Sequence, residues 1–129
     1  MSALPWTDAL RLQHDELDRT HEEFVALLNA FHDAADADAL PRFRELLAHT
    51  EAHFAMEEDW MARLGFEAEN CHQRQHRMVI ELMRAVLQHA EADDRDPLQR
   101  IAPALAEWFP QHAAQMDAAL VETLQAQTA

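Results

Sequence analysis

Four stretches of this chain repeat apolar residues at intervals of three and four, and each carries at least one histidine on the apolar stripe. The first stripe is Leu17, His21, Phe24, Leu28 and Phe31; the second is Phe43, Leu46, Leu47, Thr50, His53, Glu57, Met61 and Leu64. The third is His72, His76, Val79, Ile80, Met83 and Leu87; the fourth is Ile101, Leu105, Trp108, His112, Met116 and Leu120. This period belongs to amphipathic helices with one buried face. Four such helices joined by short polar turns predict an all-α, up-down-up-down four-helix bundle. Composition agrees: Gly65 is the one glycine, and Ala, Leu, Glu, Gln, Arg and Met dominate.

The same pattern places the boundaries. Residues 1–15 are expected to form an extended N-terminal arm in which Trp6 and Leu10 pack onto the helices, and residues 16–129 to form one bundle domain. The first helix is expected from about Asp15 to Ala35, ahead of a polar turn at Asp33 to Asp38. The second begins near Leu40, with Asp38 as cap and Pro41 in the first turn, and stops at Gly65. The third runs from about Ala68 to Glu91, and the fourth opens at Pro97 after the charged turn Asp93 to Asp96.

Charge and cysteine usage exclude several functions. A formal net charge of −14 argues against nucleic acid and against an anionic membrane surface, both of which need basic faces. One cysteine, Cys71, rules out an internal disulfide and fits a reducing compartment. The N-terminus lacks the pattern of a signal peptide, and no apolar run approaches the ~18 residues of a membrane span. The expectation is a small cytoplasmic protein with no membrane or nucleic-acid partner; no protein partner can be named from the sequence.

Candidate ligands are His21, His53, Glu57, His72, His76, His112 and Asp117. Two pairs, His53 with Glu57 and His72 with His76, are four residues apart, so each puts two donors on one helix face roughly 6 Å apart along the axis. Taken singly the fragments have ordinary readings: His53 and Glu57 as a surface ion pair, His21 as a hydrogen-bonded core histidine, the four-residue spacing of His49 and His53 as coincidence. Together they are harder to dismiss. A histidine on an apolar stripe is costly unless its ring nitrogens have partners, and here one points inward from each of four helices. Imidazole and carboxylate without thiolate suit iron or manganese better than a closed zinc site. Seven ligands overfill one octahedral ion but suit two ions that share carboxylates and keep one position open. The ferritin-like arrangement needs Glu-x-x-His on two helices; only Glu69 to His72 supplies one.

The order of these residues resembles the hemerythrin family, specifically its bacterial single-domain members. The matching stretches are Trp6 onwards, Asp18-Arg19-Thr20-His21, His53-Phe54-Ala55-Met56-Glu57-Glu58, His72 to His76, and Trp108 to Asp117. The resemblance implies two non-haem iron ions, with His72, His76 and His112 on one and His21 and His53 on the other. Glu57 and Asp117 would bridge them beside an oxo or hydroxo group, and the two-histidine iron would keep the open position. It further implies reversible binding of dioxygen, as carrier, store or sensor. Phe24, Leu28, Phe54 and Trp108 are expected to form a dry pocket wall. No dedicated acid or nucleophile accompanies the cluster, so the protein is expected not to be an enzyme. The alternatives are a di-iron enzyme acting on peroxide or nitric oxide, and an iron-handling protein.

Three details depart from a simple bundle. Asp117 follows His112 by five residues, about 140° around a regular helix. A kink or π-bulge between Ala106 and Asp117 is therefore expected, with Pro110 adding strain. Ala113 stands where the family often has a bulkier aliphatic residue, which implies a roomier pocket. His14, His32, His49 and His89 are expected mostly at the surface, with His49 near enough to His53 to act as an outer partner.

Overall fold

The structure, a computed structural model, describes residues 3–128. Four helical rods carry the chain: α1 (Asp15–His32), α2 (Asp36–Arg63), α3 (Cys71–Glu91) and α4 (Asp96–His112). The last rod continues through a π segment (Ala113–Asp117) into α5 (Ala118–Thr128). Consecutive helices pack side by side, and α1 also packs against α4, so the four rods close into an up-down-up-down bundle.

Local chemistry explains the ends. The His14 ring accepts the Leu17 amide at 3.1 Å, capping α1, and Asp15, Glu16 and Asp18 place negative charge on its first turn. Gly65 ends α2 with φ 84°. The Phe66 amide donates to the Met61 carbonyl at 2.9 Å and the Gly65 amide to Ala62 at 3.2 Å, a Schellman closure that only glycine enters without strain. Asn70 accepts the Gln73 amide at 2.9 Å and starts α3.

Three expected boundaries shift. α1 ends at His32, short of Ala35: the Asp33 amide makes the last i→i−4 bond, to Asn29 at 2.9 Å, and the Ala34 amide then tightens onto Phe31 at 3.2 Å as the chain turns. α2 begins at Asp36, so Asp38 lies within its first turn and is not its cap. The carboxylates of Asp36 and Asp38 favour a helix start here, and Pro41 is carried inside the helix. α3 begins at Cys71, three residues after Ala68, where Asn70 supplies the cap.

The N-terminal arm is pinned rather than loose. Leu4 exchanges two hydrogen bonds with the Asn29 side chain, at 2.9 and 2.7 Å. A 3₁₀ turn at Asp8–Leu10 buries Leu10 in the core. Asp18, itself buried, accepts the amides of Leu12 at 2.8 Å and His14 at 3.3 Å.

The expected irregularity in the fourth rod is present. Across Ala113–Asp117 the helix widens to π geometry, and the Ala118 amide donates to the Ala113 carbonyl five residues back. One residue is thereby absorbed, and His112 and Asp117 come onto the same inner face. Among the described residues, no helix is long and apolar enough to cross a membrane.

Candidate metal centre

All seven candidate ligands come together inside the bundle. His21 projects from α1, His53 and Glu57 from the last third of α2, and His72 and His76 from the first two turns of α3. His112 ends α4 and Asp117 ends the π segment. Every one is buried; His21, Glu57 and Asp117 have no exposed surface. Donor atoms of Glu57, His72, His76, His112 and Asp117 lie within 4.8 Å of one another, as do those of His21, His53 and Glu57.

The two carboxylates join these groups. Glu57 turns Oε1 toward His72 Nε2 at 2.9 Å and His76 Nε2 at 3.5 Å. Its Oε2 faces His53 Nε2 in close contact and His21 Nε2 at 3.9 Å. Asp117 divides in the same way: Oδ1 faces His72 at 2.9 Å and His112 at 3.2 Å, while Oδ2 faces His21 at 3.0 Å. Each carboxylate thus turns one oxygen toward the three-histidine group and the other toward the two-histidine group, the arrangement that two cations sharing both carboxylates require.

Hydrogen bonding tests whether a metal belongs there. The five Nε2 atoms and all four carboxylate oxygens are buried, within ion-pair reach, and without a hydrogen bond among the described residues. A buried polar atom left in that state costs about 1–3 kcal/mol. So many unsatisfied donors converging on one centre, with no thiolate among them, fit a metal site.

Electrostatics without metal points the same way. Burial pulls the His21 and His72 rings toward the neutral form, but the approach and negative charge of Asp117 and Glu57 outweigh it, raising each to about 9. His53 and His112 are lowered, chiefly by burial. Burial alone would raise both acids, and Glu57 raises Asp117 further. The surrounding histidines nevertheless hold Glu57 well below the carboxylate range and bring Asp117 to about 2. In the metal-free chain two imidazolium charges therefore balance two carboxylates, and cations would displace those protons.

Residues outside the ligand set orient it. His76 Nδ1 donates to Glu58 Oε2 at 3.1 Å, and the Gln73 amide reaches the other Glu58 oxygen at 3.4 Å. His112 Nδ1 donates to Gln75 Oε1 at 2.7 Å. Helical spacing marks none of these as partners, although Glu58 adjoins Glu57 and Gln75 precedes His76. His49, half-buried, hydrogen-bonds Glu23 at 3.1 Å and leaves His53 Nδ1 unpartnered. His32 and His89 are exposed, whereas His14 is the α1 cap.

The aromatic surroundings divide by side. Phe54 stacks on His76 with centroids 3.8 Å apart, and Trp108, partly buried, stacks on His112 at 4.4 Å. Phe24 and Leu28 are buried on α1. Phe109, missing from the expected inward face, is 1% exposed, edge-on to His21 at 5.0 Å and 4.8 Å from Phe24. From Leu105 both Trp108 and Phe109 satisfy helical spacing, so periodicity could not choose between them.

Comparison with known proteins identifies the family. A family model described as "Hemerythrin HHE cation binding domain" matches residues 12–124. A protein named Bacteriohemerythrin from Ralstonia nicotianae is 38% identical over 117 residues, covering 91% of this chain and 85% of that protein. Another of that name from Pseudomonas paraeruginosa is 27% identical over 128 residues, covering 96% and 83%. A hemerythrin-like protein of Naegleria gruberi is 28% identical over 80 residues, covering 62% and 66%. No solved structure matches significantly. With most of its length matched, this chain belongs to the hemerythrin family.

Proposed function

We propose that the centre holds two iron ions and binds dioxygen reversibly, in a cytoplasmic protein that is not an enzyme. The observation that supports this most is the division of Glu57 and Asp117, each with one oxygen toward either histidine group. His72, His76 and His112 would hold one ion, His21 and His53 the other, and the two carboxylates both. Bound there, two ferrous ions would supply an open coordination position and the two electrons that dioxygen can accept.

The chain's own part is to fix geometry and keep water out. Five imidazoles from four helices would set the positions of both ions, and Glu57 and Asp117, each with an oxygen toward either group, would hold them together. With fewer protein donors there, an ion held by His21 and His53 would be the one left with room for a further ligand. Phe109 packs on both His21 and Phe24, Leu28 is buried farther along α1, and Phe54 and Trp108 cover His76 and His112. Dry walls slow proton delivery to a reduced ligand and favour its release as dioxygen. No uncommitted buried acid or nucleophile adjoins the centre among the described residues, which favours binding over turnover.

Anaerobic loading with Fe(II), then air, then deoxygenation tests the proposal in the visible spectrum. An absorption band that appears with oxygen and disappears on its removal is expected. Irreversible conversion to the diferric state would favour sensing, peroxide or nitric oxide chemistry, or iron handling. A loaded protein with fewer than two irons per chain would overturn the reading.

A further inference from the structure

The two histidine groups have unequal support. On the three-histidine side, His76 Nδ1 meets Glu58 at 3.1 Å and His112 Nδ1 meets Gln75 at 2.7 Å. Glu58 is held in turn by Gln73 at 3.4 Å, and its side chain is 34% exposed. On the two-histidine side, Nδ1 of His21 and Nδ1 of His53 are both buried with no acceptor among the described residues. Ring packing orients His21 there, edge-on to Phe109 at 5.0 Å.

This difference bears directly on metal affinity. A cation on Nε2 requires the neutral ring to carry its proton on Nδ1. At His76 and His112 that N–H has an acceptor, which fixes the tautomer and makes Nε2 a stronger donor. At His21 and His53 the same tautomer buries an N–H without one. The first side also offers one more imidazole; Glu57 belongs to both donor groups, whereas Asp117 groups with the three histidines and reaches only His21 on the other side, at 3.0 Å.

We infer that the three-histidine position binds its metal more tightly and fills first, and that the two-histidine position fills and empties separately. When metal is scarce the chain then holds a one-metal form, and occupancy of the His21–His53 position decides whether the centre is complete. Glu58 and Gln75 act as positioning residues that set the gap between the two affinities. The inference rests on the two-metal reading above.

The test is an anaerobic titration of the metal-free full chain with Co(II), followed by visible absorbance and by NMR of ¹⁵N-labelled histidines. Two steps at least tenfold apart in Kd are expected. The first should move the signals of His72, His76 and His112, and the second those of His21 and His53. Glu58→Gln should weaken the first step about tenfold, the low end of the effect of losing an outer-shell partner, and leave the second in place. Gln75→Ala should do the same, and serves if Glu58→Gln fails to fold. A merely structural role for Glu58 would weaken both steps together. A single unresolved step, or a first equivalent appearing at His21 and His53, overturns the inference in the wild-type chain alone. Ordered loading without a reversible oxygen band would defeat the oxygen-binding proposal and leave this one standing; a reversible band with simultaneous loading would do the opposite.

Discussion

The bundle is built differently at its two ends. Toward the α1–α2 and α3–α4 turns the interior is apolar: Phe31, Phe43, Leu46, Leu47, Val86, Ala90, Leu98 and Ile101 are buried together. Phe31 and Phe43 pack with ring centroids 5.2 Å apart. Farther along α2, buried Thr50 satisfies its hydroxyl on the Leu46 carbonyl at 2.7 Å. Beyond Thr50 the interior changes to five histidines and two carboxylates whose inward atoms lack hydrogen bonds. One end is held by exclusion of water, which contributes roughly 25 cal/mol per Å² of apolar surface. The other holds imidazoles and carboxylates whose burial is costly and is offset, without metal, only by their attraction for one another. The apolar end therefore fixes helix spacing and register, and the polar end uses a scaffold it did not build.

Removing metal should give the largest effect. An ion at a thousandfold excess over its Kd stabilises the folded state by about 4 kcal/mol, so stripping two ions should cost on the order of 8 kcal/mol and lower Tm by well over 10 °C. Hydrogen exchange would show where the loss falls. Amides near His53, His72 and Asp117 should lose protection, while those near Phe43, Val86 and Ile101 keep theirs. Uniform loss along the helices would erase the distinction between the ends.

Phe43→Ala attacks the other end. Phe43 has no exposed surface, and truncating a buried phenylalanine costs about 3–5 kcal/mol. Denaturant unfolding should give the same loss with and without metal. A loss confined to the loaded form would mean that the apolar end depends on the site.

A smaller effect, on the order of 2 kcal/mol, separates the ends by pH in the metal-free chain. His21 and His72 rise from 6.5 to about 9 in the folded state; the stability they contribute is complete below pH 6.5 and is lost as pH rises through 9. His53 and His112 are lowered, so stability also falls as pH drops below 6.5. Glu57 and Asp117, both lowered, add a further acid loss below about pH 4. The metal-free protein should thus be most stable near pH 6.5. Metal replaces the imidazole protons, so the loaded protein should be flat between pH 6.5 and 8.5. Calorimetry in two buffers of different ionisation enthalpy should detect about two protons released as both ions bind near pH 7.5. Release of none would remove the imidazolium–carboxylate balance.

The two ends also differed in how far the sequence revealed them. Helical spacing alone located the apolar end, because burial of Phe31, Phe43, Leu46 and Leu47 follows directly from periodicity. The π segment was legible too, since a five-residue step from His112 to Asp117 cannot share a face in a regular helix. What periodicity cannot encode is rotation of a stripe by one residue, so Phe109 was passed over in favour of Trp108. Nor does it encode partners that meet across helices, Glu58 with His76 and Gln75 with His112, or the local closure of the arm by Asp18 on the amides of Leu12 and His14. Asn70 as cap was displaced by an expected start at Ala68, although an asparagine three residues before Gln73 was a usable signal.

Asn70→Ala gives the smallest predicted effect and tests whether the polar end is rigid at its edge. Asn70 accepts the Gln73 amide at 2.9 Å and donates to the Glu67 carbonyl at 2.7 Å, so it closes the turn that delivers His72 two residues later. Loss of such a cap costs about 1 kcal/mol, most of it expressed as fraying of the first turn of α3. His72 is the candidate ligand in that turn; His76 lies one turn deeper and is tied to Glu58. Titration with Co(II) should therefore show a weakening of a few-fold, with the His72 signal broadened and the His76 signal sharp. If both broaden equally, α3 moves as one body and the metal end is less independent of the apolar end than its unsatisfied atoms imply. If neither changes, packing alone holds His72, and the cap serves only the helix.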